Sequence, residues 1–298
     1  MKKPLVSDSH GGIDLHIHST ASDGTLTPPE ILAMAVRLGL KAVAITDHDT
    51  LSGSVDAKAN GIPPVLDFLT GIEISAAPPD AFGIDGSVHI LGYGIDPQNP
   101  ALNKLLDASK NARENRNPKI IARLNKLGMD LTMEELDRIV GDATAGRPHI
   151  AQLMIEKGRV TSIDDAFDRF LGKHKPAYVD KYRIPMDEAI GAINQAGGVA
   201  VLAHPFLIGL DDPSTFEAFL LVLTSMGLAG IEAIYPDHPA AATDEYCRLA
   251  RKHRLLITGG TDFHGKVTPK IQMGCGDGSL HVPYTIYEAL AARLEQEA

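Results

Sequence analysis

Short apolar segments rich in Val, Ile and Leu alternate with segments of helical periodicity along most of this chain. The apolar segments show no regular polar alternation, which is typical of strands buried on both faces of a parallel sheet. The predicted strands cover residues 13–18, 41–46, part of 65–75, 88–93, 199–203, 230–234 and 255–258. The predicted helices that accompany them cover 28–38, 185–196, 213–226, 240–252 and 284–297. Seven such strands favour an α/β fold, a distorted seven-stranded βα barrel of the TIM-like kind, over an open doubly wound sheet.

The middle of the chain breaks this alternation. Helical patterns at 102–127, 132–140, 149–157 and 162–170 follow one another with no convincing strand between them. We therefore predict a barrel formed by residues 1–99 and 183–298, with residues 100–182 as a helical insertion that caps it and binds substrate.

Composition limits the possible classes of protein. The 298 residues are 44% hydrophobic and 22% charged, as in an ordinary globular protein, and the formal charge of −10 argues against a general nucleic-acid coat. Cys247 and Cys275 have no CxxC partner and are expected to be free thiols. No apolar run approaches the length of a membrane span and the N-terminus lacks the apolar core of a signal peptide, so we expect a cytoplasmic protein with no obligate protein partner.

Twelve histidines are unusual, and most of them follow apolar segments. In the sequence Asp14-Leu15-His16-Ile17-His18, two imidazoles at strand spacing point to the same side, and a carboxylate, Asp23, follows in the next loop. The same ligand types recur at the ends of later apolar segments, which favours a multinuclear metal hydrolase. The nine candidate ligands are His16, His18, Asp23, His48, Glu73, His89, His204, Asp262 and His264.

Other polar residues near these motifs have simpler interpretations. Asp14, Asp47 and Asp49 are predicted to orient imidazoles or to cap loops rather than to bind metal. Five histidines outside the strand ends are predicted to be surface, loop or packing residues: His10, His174, His238, His253 and His281.

The combined motifs DLHIHS, ITDHD, GIEIS, VHILGYGID, AHP and TDFHG resemble, in order, those of the polymerase and histidinol phosphatase (PHP) family of amidohydrolase-like enzymes. They cover residues 13–265. The resemblance implies a seven-stranded barrel with two or three divalent metal ions, commonly manganese, and phosphoester hydrolysis. The nine candidates match the family's nine ligand positions, with Asp23 where other members have histidine. Iron and zinc accept the same ligands.

The insertion after HILGYGID resembles the branch that acts on nucleoside 3′,5′-bisphosphates and on short 5′-phosphorylated RNA. Its basic residues are the candidates for phosphate binding: Arg113, Arg116, Arg147, His149, Lys173 and Lys175. Arg113 and Arg116 are three apart and could share one helix face, while Arg147 and His149 lie where a helix begins.

Clustered divalent ions suit phosphoester hydrolysis because they activate water and offset charge on the phosphoryl and leaving oxygens. His204 and His264 are the candidates for proton transfer to the leaving oxygen, although a metal-bound histidine is not a free acid, so the general acid stays open. Three functions follow: a nucleoside 3′,5′-bisphosphate phosphatase, a phosphatase of another phosphomonoester such as histidinol phosphate, and a non-catalytic metal-binding interaction module.

Overall fold

A computed structural model describes residues 12–86, 88–140, 146–180 and 182–297. The chain separates into two compact units. The first contains the residues up to Leu105 and from Ile184 onward, and the second is Leu106–Arg183. Within the described residues, no helix is long and apolar enough to cross a membrane.

The first unit is a nearly closed mixed barrel, which confirms the predicted α/β barrel. Its strands are β1 (Ile13–Ile17), β2 (Ala42–Ile45), β3 (Asp67–Ala77), β4 (Val88–Tyr93), β5 (Ile184–Pro185), β6 (Val199–Leu202), β7 (Gly230–Ile234) and β8 (Leu256–Gly259). Seven of them pair in the order β1-β2-β3-β4-β6-β7-β8, and the short β5 pairs with the end of β3. The edges meet where His18 N donates to Phe263 O at 2.9 Å. A Cβ atom on Gly260 would lie 2.5 Å from His16 N, so the backbones approach closely only because this residue is glycine.

The expectation of a wholly parallel sheet is wrong for one strand. β4 runs antiparallel to both β3 and β6, whereas the other pairs in the barrel order are parallel. A parallel return needs a crossover of about a dozen residues, usually a helix. Only ten residues separate β3 from β4, and the element found there is a single 3₁₀ turn, Asp80–Phe82. The reversal brings the first residues of β4 to the edge where the parallel strands end.

Helices cover the barrel strands. They are α1 (Pro28–Arg37), α2 (Ser52–Asn60), α8 (Met186–Gln195), α9 (Pro213–Ser225), α10 (Ala240–His253) and α11 (Tyr284–Glu297). The first unit also contains the start of α3 (Pro100–Glu114). One buried cluster contains side chains of β1, β2, β4 and β6 together with Leu290 of α11, and a second lies between β1, β2 and α1. The sequence did not predict α2, because its buried residues Gly53, Ser54 and Ala57 are too small to produce an apolar stripe.

The second unit is helical. After the C-terminal part of α3 it contains α4 (Arg116–Lys126), α5 (Met133–Val140), α6 (Arg147–Glu156) and α7 (Ile163–Ala166), which continues as one π-helical turn, Phe167–Leu171. These helices enclose a core of their own that includes Ile120, Leu136, Ile150 and Leu171. The predicted single helix over 102–127 is wrong, because the chain divides at Asn115. Pro118 has no N–H to donate to the carbonyl four residues earlier, which explains the break.

Candidate metal centre

Eight of the nine predicted ligands lie at one edge of the barrel, and Asp23 lies in the loop that follows β1. His16 and Glu73 belong to strands, and His18, His48, His204, Asp262 and His264 follow the carboxyl ends of β1, β2, β6 and β8. His89 is the second residue of β4 and reaches the same edge because that strand is reversed. The structure therefore brings together residues separated by as many as 248 positions in sequence.

Glu73 is the centre of the cluster and is almost fully buried. Its Oε1 lies 2.7 Å from His89 Nδ1 and 2.9 Å from His204 Nε2. Its Oε2 lies 3.0 Å from His48 Nδ1, 3.2 Å from His18 Nε2 and 3.4 Å from His16 Nε2. One buried carboxylate thus faces five imidazoles, and both groups are ligand types that divalent cations accept.

Two aspartates extend the cluster on either side of His18. Asp262 Oδ1 lies 3.0 Å from His18 Nε2 and 3.3 Å from His16 Nε2. Asp23 Oδ1 lies 3.2 Å from His264 Nε2, and its Oδ2 lies 3.8 Å from His48 Nε2. The rings of His18 and His264 stack with their centroids 4.1 Å apart. Asp23 is the most exposed member of the set, with 53% of its side chain accessible.

The donor atoms satisfy a test of fit for bound cations. Five buried atoms that face this cluster have no hydrogen-bond partner among the described residues: His16 Nε2, His18 Nε2, His48 Nδ1, Glu73 Oε2 and Asp262 Oδ1. These atoms face oppositely charged atoms at 3.0–3.4 Å but form no hydrogen bond with them, and a buried polar atom without a hydrogen bond costs about 1–3 kcal/mol. Their convergence therefore fits a bound cation. Three overlapping groups of donors, each within 4.8 Å, contain eight of the nine candidates, and His204 touches Glu73 beside them. His18, His48 and Glu73 each belong to two of these groups, so the donor set has room for more than one ion.

Charge pairing opposes the cost of burial at Glu73 and at His16. Burial alone would raise the pKa of Glu73, but the imidazoles of His48 and His89 lower it well below its usual range. Burial alone would lower the pKa of His16, but the carboxylates of Glu232 and Asp262 raise it well above its usual range. The carboxylates therefore favour the protonated form of His16, and a divalent cation must displace a proton when it binds there.

The three acids near the ligands support loops. Asp14 Oδ1 accepts from Thr261 N at 2.9 Å, and its Oδ2 accepts from Gly274 N at 2.9 Å. Burial raises the pKa of Asp14 to about 6, although these hydrogen bonds oppose the shift. Asp49 accepts from Ser75 N at 2.8 Å.

Asp47, which follows β2, holds the loop that carries Asp23. Its Oδ1 accepts from Ser19 N at 2.7 Å and from Ser22 Oγ at 2.6 Å, and its Oδ2 accepts from Ser19 Oγ at 2.7 Å. Asp47 thereby fastens that loop to the carboxyl end of β2.

Three of the six non-glycine residues with positive φ among the described residues lie at the same edge. Asp49, His204 and Asp262 have φ values of 53°, 25° and 55°, a region that non-glycine residues seldom adopt. Such conformations persist only where surrounding contacts hold them, and they are concentrated at functional sites.

Sequence reasoning missed two side chains that touch the candidate ligands. Glu232 on β7 is fully buried and lies 2.9 Å from His16 Nδ1. Tyr235, just after β7, donates its hydroxyl to Asp262 Oδ2 at 3.0 Å. A charged residue inside the apolar stretch Gly230-Ile231-Glu232-Ala233-Ile234 was the signal available for Glu232, whereas the sequence gives no comparable signal for Tyr235.

Four of the five histidines predicted to have no part in the chemistry lie in the described part of the chain. His238 is buried among the rings of Phe206, Tyr235 and Tyr246, with Nδ1 3.0 Å from Ala233 O. His253 lies 2.5 Å from Glu217 Oε1, and His174 and His281 are exposed. His10 lies outside the described residues.

The candidate phosphate-binding residues belong to the second unit. Arg147 is the first residue of α6, where its Nη1 donates to Leu171 O at 3.0 Å and its guanidinium lies 5.4 Å from the ring centroids of Phe167 and Tyr178. Arg116 donates through Nε to Val179 O at 3.0 Å.

Arg116 Nη2 is buried with no hydrogen-bond partner among the described residues. Burial lowers the pKa of Arg116, and the nearby charge of Arg147 lowers it further. Arg116 and Arg147 thus lie against neighbouring residues, Val179 and Tyr178, where their like charges repel each other.

The remaining candidates are less enclosed. His149 Nδ1 accepts from Gly146 N at 3.1 Å and so caps the start of α6. Lys173 and Lys175 are exposed. The side chain of Arg113 lies outside the described part. Arg113 lies near the end of α3 and Arg116 begins α4, so the two residues do not belong to one continuous helix.

Comparison with known proteins gives one family. A family model described as PHP domain matches residues 14–175. The chain is 31% identical over 290 residues to the 3′,5′-nucleoside bisphosphate phosphatase of Chromobacterium violaceum, an alignment that covers 96% of this chain and 99% of that protein. It is 32% identical over 266 residues to the 5′-3′ exoribonuclease Rnm of Escherichia coli, covering 88% and 87%. A solved structure from Bifidobacterium adolescentis, provisionally assigned as a metal-dependent phosphoesterase, superposes with a TM-score of 0.76 at 30% identity and covers 96% of both chains.

Proposed function

We propose that this chain, which belongs to the PHP domain family, is a metal-dependent phosphoesterase whose barrel edge binds two or three divalent cations. The observation that carries the proposal is the set of five buried donor atoms without hydrogen-bond partners around Glu73. The proposed ligands are the nine predicted residues, and manganese is the expected metal. A non-catalytic metal-binding module is the weaker interpretation. Such a module would not require all nine ligand residues, and this chain has all nine.

Bound cations would supply an activated water and would neutralise charge on the phosphoryl and leaving oxygens. The chain's own residues hold and orient the groups around the phosphate. Glu73 presents one oxygen to each side of the cluster, and the Tyr235 hydroxyl orients Asp262. Asp47 holds the loop from which Asp23 reaches the cluster. Solvent access at Asp23 leaves a route by which a phosphate can approach.

His204 and His264 remain the candidates for proton transfer to the leaving oxygen. Both nitrogens of His264 already have partners, since Nδ1 lies 2.8 Å from Asp262 O and Nε2 lies 3.2 Å from Asp23 Oδ1. His204 contacts Glu73 through Nε2, and its Nδ1 has no hydrogen-bond partner among the described residues. His204 is therefore better placed than His264 to transfer a proton to the leaving oxygen.

The proposed substrate is a nucleoside 3′,5′-bisphosphate, such as adenosine 3′,5′-bisphosphate, whose 3′-phosphate is released. Two observations support this choice. The relative with that activity aligns over nearly the whole of both chains. In the second unit, Arg116 and Arg147 lie against the neighbouring residues Val179 and Tyr178, and Arg116 Nη2 has no hydrogen-bond partner among the described residues, which suits the phosphate that is not cleaved. His149, Lys173, Lys175 and Arg113 are further candidates for this role.

Short 5′-phosphorylated RNA is the second candidate substrate, favoured by the similarity to the exoribonuclease of E. coli. Both substrates carry a 5′-phosphate, so the same basic residues would serve either. A phosphatase of the histidinol phosphate type would need no second anion site.

The proposal is tested by phosphate release with manganese from adenosine 3′,5′-bisphosphate, 3′-AMP, histidinol phosphate and a short 5′-phosphorylated RNA. Wild-type protein should prefer the bisphosphate. The variant Arg147→Ala should raise KM for the bisphosphate about ten- to a hundredfold, because one charge-assisted contact contributes about 1.5–3 kcal/mol. Turnover of 3′-AMP, which lacks the second phosphate, should change little.

Arg159→Ala is the matched control, because Arg159 lies in the same unit and donates through Nε to a backbone carbonyl, Met129 O at 3.0 Å. It should leave both substrates unaffected. Equal weakening of both substrates by Arg147→Ala, or no preference of the wild type for the bisphosphate, would contradict two-phosphate recognition and favour a simple phosphomonoesterase.

A further inference from the structure

β7 contributes none of the nine proposed ligands, although both of its neighbours in the barrel lead to one or more. His204 follows β6, and Asp262 and His264 follow β8. β7 instead carries one acid, Glu232, in an otherwise apolar strand, and its side chain is fully buried. Burying a carboxylate is costly unless it is paired and hydrogen-bonded, so its presence requires an explanation.

Both carboxylate oxygens of Glu232 contact proposed ligands. Oε1 lies 2.9 Å from Nδ1 of His16, and Oε2 accepts from the backbone N–H of His204 at 2.8 Å. The two imidazole rings are nearly parallel, with centroids 5.8 Å apart. One side chain therefore links two ligands that are 188 positions apart in sequence.

The contact with His16 sets which nitrogen faces the cluster. A carboxylate at Nδ1 keeps a proton on that atom and leaves the lone pair of Nε2 for a cation. Nε2 is the atom that lies 3.3 Å from Asp262 Oδ1, and it has no hydrogen-bond partner among the described residues.

The contact with His204 holds a strained turn. His204 has φ 25° and ψ 61° and precedes Pro205, a combination that a non-glycine residue adopts only when its surroundings impose it. The hydrogen bond from its N–H to Glu232 is one such restraint. This turn places His204 Nε2 2.9 Å from Glu73 Oε1.

We propose that Glu232 is a positioning residue of the metal centre, which holds His16 in the Nδ1–H form and fixes the turn at His204 without itself binding a cation. This inference rests on the proposed metal centre. Both oxygens of Glu232 contact proposed metal ligands. This distinguishes Glu232 from Glu73, whose Oε2 has no hydrogen-bond partner in the described chain.

The variant Glu232→Gln tests the proposal, because an amide has the same shape but only one acceptor oxygen. It cannot accept from His16 Nδ1–H and His204 N–H together. Calorimetric titration of metal-stripped protein with Mn²⁺ should show an affinity about ten- to a hundredfold weaker than wild type, the usual effect of losing a partner behind a metal-binding histidine. Glu217→Gln, which removes a carboxylate from α9, should bind Mn²⁺ like wild type.

A second readout separates positioning from a general loss of stability. In zinc-loaded protein with ¹⁵N-labelled histidine, the Nδ1 proton of His16 should give a protected resonance in wild type that is shifted or lost in Glu232→Gln. If Glu232→Gln does not fold, Glu232→Asp keeps the charge but is one methylene too short to reach both donors, and its Mn²⁺ affinity should still fall.

Unchanged Mn²⁺ affinity in a folded Glu232 variant, with an unchanged His16 resonance, would overturn the inference. Loss of one whole equivalent of Mn²⁺ with the remaining sites unaffected would also overturn it, since Glu232 would then be a ligand. If wild-type protein itself bound no Mn²⁺, the proposed metal centre would fail first, and the two failures are therefore distinguishable.

Discussion

At the residue scale, Glu73 differs from the other carboxylates because each of its oxygens faces imidazoles from different strands. The two aspartates each contact a smaller part of the cluster. Loss of Glu73 would remove the carboxylate that faces five of the imidazoles and that would bind a cation together with them. Loss of His16 or Asp262 would remove donors that converge beside it.

We therefore expect His16→Ala, Glu73→Ala and Asp262→Ala to lower kcat for phosphate release by at least about a hundredfold, because activation of water depends on the intact cluster. His281→Ala is the control, since that side chain is exposed, and it should retain wild-type turnover. Steady-state kinetics at saturating manganese provide the comparison. Equal losses in both groups would mean that the sorting of histidines is wrong.

The sequence could predict the residues of the cluster because ligand types recur at the ends of several apolar segments. His16 and His18 at strand spacing and Asp262 with His264 two residues later illustrate this. It could not predict that Glu232 and Tyr235 support them, because those contacts depend on which strands become neighbours in space. The same limit applies to Arg116 and Arg147, whose proximity depends on how separate helices pack.

At the element scale, strand positions followed from apolar segments to within a few residues, but the direction of β4 did not. The residue pattern of a strand buried on both faces does not reveal whether the strand runs parallel or antiparallel to its neighbours. Only the short connection from β3 indicated that β4 is antiparallel. The helix α2 escaped prediction for a related reason, since it packs through small residues. One of them, Gly53, lies against the acid that holds the Asp23 loop.

Gly53→Ala should disturb the site through this contact. A Cβ atom there would lie 1.9 Å from Asp47 Oδ2 and 2.6 Å from Ser19 Oγ, so Asp47 must move and its bonds to Ser19 must weaken. We expect the free energy of unfolding to fall by about 1–3 kcal/mol and phosphate release to slow. Urea denaturation and kinetics of the same samples measure both effects.

Gly191→Ala in α8 is the matched control, because a Cβ atom there meets nothing within 4 Å. In a helix interior this change should raise the free energy of unfolding by about 0.5–1 kcal/mol and leave turnover unaltered. Equal behaviour of the two variants would show that the packing of α2 against Asp47 does not support the site.

At the scale of the whole molecule, the barrel gathers three carboxylates and six imidazoles at one edge of a chain whose formal charge is −10. Bound divalent cations would offset part of that negative charge and satisfy the unpaired donor atoms. Nine ligands exceed what one ion needs, since first-row metals in proteins usually take about four to six donors. If each donor group held one ion, the residues shared between the groups would place those ions close together.

The number of metal ions per chain tests this account most directly. Protein produced with supplementary manganese and freed of loosely bound metal should contain at least two divalent ions per chain by elemental analysis, and Glu73→Ala should contain fewer. The analysis must include iron and zinc, because the same ligands accept them. A wild-type content of one ion or none per chain would contradict a multinuclear centre.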